Sequence, residues 1–581
     1  MALFALLTLP CLLQAQIPDL QNTSLRPRFM TEFYKQSTTW NWLAELTLKN
    51  PTMSHVKWAF TERLQSNLLI PAAGRKKWKD EHLLHGLVYK NYLPLTGGLY
   101  FNSWFQSNKQ VSADNQFANH ALGLFVQKTV FNHAQLVPYL GYQYARNRKH
   151  EDWGWDTGAT LKLNRFRFSD YAGDVHAAAN FDLYPARQNR EYDLVSRFST
   201  RFSRFSSDSL FMHYNDLSKQ YYVADSIEQV TIHERVLQNK LFYDFNAANR
   251  LLLQTRLQSR DISYFNGRSI LTFENYLRYL HIGRKLNALF TFRTSSETQD
   301  NAGTYTDSRT LRTAFNLNLR YRFNAKHQIT LNTAYVKLQY DTPDSIVNND
   351  DRDELGFVST LQYRWYISPV LTLNFLSYVY LYHQIYIYKE RSLNNNWNRI
   401  YKLNPRLYYH WGAFSNRLST EVLANYTVYD FDDLTPEPRS FVFRKYTFSD
   451  SLLIRYLTHQ FVGGYYRLEL EDKGSFFAKE FAQQILQSYN SRFWTIFLRN
   501  DHFLFFRVDV GYTFYRRKEW RHVPLKKLNR VVTNQGPYLE LAYTVLPKII
   551  FSANTSLLTL IDSRQAKRRY ISGKLKLNYF F

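Results

Sequence analysis

In the stretch RTLRTAFNLNLRYRF, residues 309–323, the large apolar side chains take one parity and most of the basic and amide ones the other. Leu311, Phe315, Leu317, Leu319, Tyr321 and Phe323 occupy odd positions; Arg312, Asn316, Asn318, Arg320 and Arg322 occupy even ones. Successive side chains of a strand point to opposite faces, so this segment reads as a strand with one apolar and one wet, basic face. The division recurs on either side of it. VLTLNFLSYVYLYHQIYIYK, residues 370–389, sets Leu371, Leu373, Phe375, Val379, Leu381, Ile385 and Ile387 against Tyr378, Tyr380, Tyr382, Gln384, Tyr386 and Tyr388. LVSRFSTRF, residues 194–202, sets Leu194, Phe198 and Phe202 against Arg197 and Arg201. The chain closes on ISGKLKLNYFF, where Ile571, Gly573, Leu575, Leu577, Tyr579 and Phe581 share one parity.

Composition agrees with strands of this kind. The chain of 581 residues carries 44 Tyr, 44 Phe and 12 Trp, yet its mean hydropathy is −0.44. Two-faced strands give a polar average, and interfacial girdles raise the aromatic share. The 20 Gly and 16 Pro are few for this length, which argues against linkers and low-complexity tracts. No stretch has the length of uncharged apolar sequence that a membrane helix needs. Propellers repeat blade motifs and sandwich arrays are joined by regular Gly/Pro-rich links; neither pattern is present.

The first fifteen residues, MALFALLTLPCLLQA, form an apolar run too short to span a bilayer. We read residues 1–15 as a secretory signal cut near Ala15, although no Lys or Arg precedes the apolar run. Cys11 lies within it and follows Pro10, a poor context for lipidation. After cleavage no cysteine remains, which excludes disulfides and thiolate chemistry. Residues 16–53 are expected to be a periplasmic segment outside the repeated pattern, a helix capped at Thr39 or an extra strand being the alternatives. Residues 54–581 carry the repeated strands.

Counted back from Phe581, short connections alternate with longer or charged ones. Short turns fall near Pro547, Asn500, His459, Pro369, Gly283, Ala247 and Asn132; long segments include 516–530, 430–440, 341–354, 295–308 and 73–82. The expected fold is all-β: a large transmembrane antiparallel up-and-down barrel of about 26 strands, bounded by 24 and 28. Residues 472–490 read either as a lid helix on an external loop or as a long protruding strand.

In this pattern the chain resembles the bacterial outer-membrane β-barrel class. In that class a last strand of alternating apolar residues ending on an aromatic is read by the barrel-assembly machinery. Gly573, Leu575, Leu577, Tyr579 and Phe581 look like that signal. The resemblance implies outer-membrane lipid and the assembly machinery as partners, and a bacterial outer-membrane location. It names no narrower family. TonB-dependent receptors are similar in size but begin with a plug domain, the lipopolysaccharide-insertion barrel has disulfides and a periplasmic domain, and the anionic-polysaccharide porin is smaller.

The formal net charge is +25, from 73 basic against 48 acidic residues. Basic side chains facing lipid at mid-depth cost about 2–4 kcal/mol each, so those within strands are expected inside. Arg165, Arg167, Arg197, Arg201, Arg256, Arg312, Arg320, Arg322 and Arg364 are the candidates, with Tyr378, Tyr380, Tyr382, Tyr386 and Tyr388 as an inner aromatic stripe. His82 and His85 have a spacing that binds metal on a helix, but here they enter a strand; no metal site and no cofactor are expected. Catalytic motifs such as G-x-S-x-G and H-E-x-x-H are missing. The charge is not read as nucleic-acid binding, because the chain has a secretory start and strand spacing. Three readings follow: a channel or exporter for anionic or sugar-bearing solutes, a surface or assembly scaffold, and an outer-membrane enzyme with dispersed site residues. A barrel this wide also calls for infolded loops or a separate periplasmic or lipoprotein partner to plug it.

Overall fold

A computed structural model describes residues 27–50, 55–71, 75–92, 94–109, 115–130, 133–223, 226–264, 267–303, 307–343, 349–434, 437–543 and 548–581. The proposed signal sequence and the turns at Pro547 and Asn132 lie outside them. The described residues form one antiparallel sheet of 28 strands, numbered β1 to β28 in chain order. Each strand pairs with the next, and β28 (Gln565–Phe580) returns to β1 (Arg28–Gln36), with Phe580 opposite Arg28. The wall is therefore a closed barrel. Closure removes edge strands and leaves no unpaired ladder for lipid to meet. If circular, 28 strands spaced about 4.8 Å apart and tilted about 40° make a ring roughly 55 Å across.

The sequence expectation for the N-terminal segment is corrected here. Residues 28–49 are β1 and β2 (Thr39–Lys49), part of the wall rather than a periplasmic segment. Twenty-six strands do follow from Val56 onward, and this hairpin completes the 28. Its alternation is masked because Leu43 faces inward between Asn41 and Glu45, while Trp40, Trp42, Ala44, Leu46 and Leu48 face out. Nine register pairs join β1 to β28 and nine join it to β2, against eighteen between β11 (Ser206–Val223) and β12 (Ser226–Asn246).

Residues 472–490 form no helix: β23 (Gln460–Phe477) and β24 (Ala482–Phe503) run on as a long hairpin turning at 478–481. Much of the sequence expected as long loops is likewise strand. β25 (Phe506–Arg521) and β26 (Lys527–Tyr543) shorten the connection at 516–530 to residues 522–526. Charged side chains do not prevent pairing where water solvates them, so the ladders continue past the lipid. Every connection longer than six residues (70–76, 342–351, 387–395 and 430–440) still lies at the end of the barrel away from Arg28 and Phe580.

Directly paired residues share a face, so the register assigns each side chain to one side of the wall. One parity carries the polar residues. Its side chains also bond across intervening strands: Tyr100 Oη on β5 (Leu95–Asn108) donates to Asp156 Oδ2 on β8 (His150–Phe168) at 2.8 Å, past two strands. Tyr139 on β7 (Ala134–Asn147) likewise reaches Asn180 on β9 (Tyr171–Leu183) at 2.8 Å. Such reach marks the concave side, where side chains converge. The opposite parity exposes Leu122, Leu140, Trp155, Leu237, Phe273, Phe315, Leu361, Leu403, Ile496 and Leu575. On β16 (Ser308–Arg322) the outer face reads Leu311, Thr313, Phe315, Leu317, Leu319 and Tyr321, apolar but for one threonine over ten residues or about 25 Å along the barrel axis. That is the height of a lipid-facing band. Its edge at the terminal end is aromatic, with rings paired at Tyr321–Phe323, Tyr409–Phe414 and Tyr579–Phe581. Asp450, bonded by Asn416, and Glu62, paired with His82 at 3.0 Å, interrupt the outer face.

Candidate functional site

The inner wall is where the charged side chains gather, and they divide into two kinds. One sector is neutralised. Lys402 meets Glu421 at 2.7 Å, Lys445 meets Glu469 at 2.8 Å and Glu471 at 3.4 Å, and Arg499 meets Asp509 at 2.7 Å. These run from β20 (Asn396–Trp411) to β25.

The other sector spans β16 to β20. Arg322 stands opposite Gln328 on β17 (His327–Asp341), which stands opposite Arg364 on β18 (Arg352–Ser368). Arg364 faces Asn374 on β19 (Leu371–Tyr386), and Asn374 faces Arg406 on β20. The row thus alternates arginine with amide, a guanidinium about every 10 Å around the wall. Among the described residues none of Arg320, Arg322, Arg364 and Arg406 forms an ion pair. The amides bond locally instead: Gln362 donates to Asn374 at 2.9 Å, and Asn404 accepts from Arg406. A carboxylate at either amide position of the row would stand directly opposite two of the guanidiniums. Amides hold the wall together while leaving the charge unspent.

The remaining candidates occupy two other places. Arg165 and Arg197 share a groove of about 460 Å³ with Asp174, Gln238 and Lys240 near the terminal end. Arg165 sits in a β-bulge with φ 54°, and its backbone N–H donates to Asp174 at 3.0 Å. Arg167 and Arg201 lie on the inner parity beside the same turns. Arg256 and Arg312 stand apart, Arg256 donating to Gln258 at 2.9 Å and Arg312 lying opposite Ser295. Tyr378, Tyr380, Tyr382 and Tyr386 all project inward from β19, and the rings of Tyr380 and Tyr382 stack 6.3 Å apart. Tyr388 does not belong with them: it lies beyond the strand, immediately before the short helix α1 (Lys389–Ser392). Gly573, Leu575, Leu577 and Tyr579 occupy the outer parity of the closing strand, Leu577 opposite Thr31 and Leu575 opposite Phe33, and Phe581 follows the strand's last residue, its ring 4.9 Å from that of Tyr579.

Three features escaped the sequence. Arg406 completes the row, yet it follows Pro405 in a segment with weak alternation. The inner wall from β5 to β9 holds a compact buried knot of Tyr100, Phe125, Val137 and Tyr139. Glycines make room for it: a Cβ at Gly123 would lie 2.5 Å from the Tyr100 ring, and one at Gly141 2.4 Å from its hydroxyl. At the far end, four connections are tied together. Arg391 donates to Asn349 at 3.0 Å and Asp350 at 2.7 Å, Arg439 to the Leu393 carbonyl at 2.9 Å, and Lys479 to Asp433 at 2.7 Å. The Lys479 ammonium holds the Asp433 carboxyl below the usual carboxylate range.

No family model matches the chain, and no curated protein does. Solved structures overlap it loosely. The FrpB iron transporter from Neisseria meningitidis gives a TM-score of 0.37 at 9% identity, over 74% of this chain and 79% of that one. The ferripyoverdine receptor of the outer membrane of Pseudomonas aeruginosa, bound to ferripyoverdine, gives 0.38 at 10%, over 96% and 72%. The outer membrane transporter YddB from Escherichia coli gives 0.35 at 7%, over 96% and 81%. Overlaps this loose say nothing of ligand or mechanism. The closed wall, its apolar band and its polar interior carry the assignment themselves: the chain is an outer-membrane β-barrel of the bacterial envelope.

Proposed function

We propose that the barrel is a channel or exporter whose inner wall favours anionic solutes. The row Arg322–Gln328–Arg364–Asn374–Arg406 carries this reading, because its guanidiniums face the interior and none of them forms an ion pair among the described residues. The tyrosines of β19 rise alongside and offer flat ring faces, so sugar-bearing anions suit the same wall. The final strand is the segment we expect the barrel-assembly machinery to read.

Passage width sets how the charge can act. An inner passage roughly 40 Å across has its axis about 20 Å from the arginines. The Debye length is about 10 Å at 0.1 M salt and about 30 Å at 0.01 M. Selectivity should therefore be strong in dilute salt and fade as salt rises. In planar bilayers, reversal potentials under a salt gradient centred near 0.01 M should show chloride favoured over potassium. Arg320→Ser, Arg322→Ser and Arg364→Ser together should reduce that preference by roughly twofold or more. Cation preference, or a silent bilayer, would leave the scaffold reading ahead.

A further inference from the structure

The outer face holds a second basic feature, on strands β24 and β25. Arg492 and Arg516 stand directly opposite each other, both facing out and both exposed. Lys518 lies on the same face, opposite Asn490. None of the three forms an ion pair among the described residues. Leu468 and Thr533 flank the arginine pair, and the outward carboxylate of Asp472 stands opposite Ser488, two rows further on. Like charges directly across a sheet repel, so this pair is costly unless an anion sits between them.

Height fixes where an anion between them would lie. Arg516 is ten residues above Phe506, whose ring packs against Tyr543 at 5.1 Å in the terminal aromatic edge. Ten tilted residues rise about 25 Å, the full height of the apolar band. Below the arginines the face turns apolar at once: Trp494 packs on Phe514 at 5.4 Å and Tyr512 at 5.9 Å, with Ile496, Leu498 and Val510 beneath. The pair thus sits where acyl chains give way to headgroups, at the end that carries the long connections. In outer-membrane barrels that end is external. Outward arginines recur at similar height at Arg190, Arg235, Arg399 and Arg569, but Arg492–Arg516 is the place where two meet face to face.

We infer that Arg492 and Arg516 clamp a phosphate group of an outer-leaflet glycolipid. Guanidiniums match phosphate oxygens bidentately, and the ring shelf beneath accepts the acyl chains. The test uses purified full-length barrel in detergent, with bisphosphorylated lipid A, its dephosphorylated form and phosphatidylglycerol as probes, and bound lipid counted by native mass spectrometry. Bisphosphorylated lipid A should bind the native protein, and the dephosphorylated form and phosphatidylglycerol should bind at least roughly fivefold more weakly. R492Q with R516Q should lose a similar factor, and R492K with R516K should retain part of the binding. Equal binding of the dephosphorylated lipid would overturn the inference without any variant. Equal binding of phosphatidylglycerol would overturn the glycolipid assignment, and undiminished binding by the glutamine variant would overturn the site.

Discussion

A single methyl group at residue 123 is a severe test of this wall. Tyr100 lies flat against the inner face, with Gly123 under its ring and Gly141 under its hydroxyl, and it ends in a hydrogen bond to Asp156. Tyr100 is 0% exposed and Asp156 1%. Gly123→Ala places carbon where the ring is, so the ring must lift and the carboxyl loses its donor. A buried polar group left without a partner costs about 1–3 kcal/mol. Gly123→Ala and Tyr100→Phe should each lower the unfolding midpoint in urea, measured by heat-modifiable mobility after folding into vesicles. Tyr100→Phe removes only the hydroxyl, so an unchanged midpoint there would show that the bond to Asp156 contributes nothing.

At the scale of strands and connections, alternation makes most of the wall readable from residues alone. RTLRTAFNLNLRYRF announces both its faces because lipid on one side and water on the other select opposite residues at each step. The β1–β2 hairpin escapes because its inner face carries Leu43, and because a run such as TWNWLAEL also satisfies a helical period. Connection lengths were hidden for a different reason. Once a strand leaves the lipid, either face tolerates charge, so KLNRVV at 527–532 pairs as strand while looking like loop. The inner parity of Arg320, Arg322 and Arg364 was legible in the same way. Their lack of carboxylates was not, since it depends on which residue each neighbouring strand presents opposite them. The length asymmetry of the connections makes a topological prediction. An epitope inserted near Val523 should be reached by antibody on intact cells, and one at Lys548 only after the outer membrane is permeabilised. The reverse pattern would put the arginine pair of β24 and β25 in the inner leaflet.

At the scale of the whole molecule, the described residues present a wall without a filling. Among the described residues, elements touch their neighbours around the ring, and no strand or helix packs across the interior. An open passage roughly 40 Å wide would defeat the membrane as a barrier, and we propose that a partner or infolded connections close it in the cell. The ties among Arg391, Arg439 and Lys479 steady part of the external mouth but span only neighbouring connections. Reconstituted alone, the protein should give large, steady conductance steps, and the addition of periplasmic or lipoprotein fractions from the producing cells should suppress them. Small steps from the purified chain would mean that its own connections are the plug.

The seam gives this ring a mechanical character. A hoop has no free end to peel, so lateral tension is shared by every joint until one parts. Nine rungs on either side of β1 make that strand the weakest link, with twice as many rungs holding β11 to β12. Stretch the bilayer, and the hoop parts beside β1; after that first break each remaining hairpin can be unzipped in turn, starting from a free edge that the intact ring does not possess.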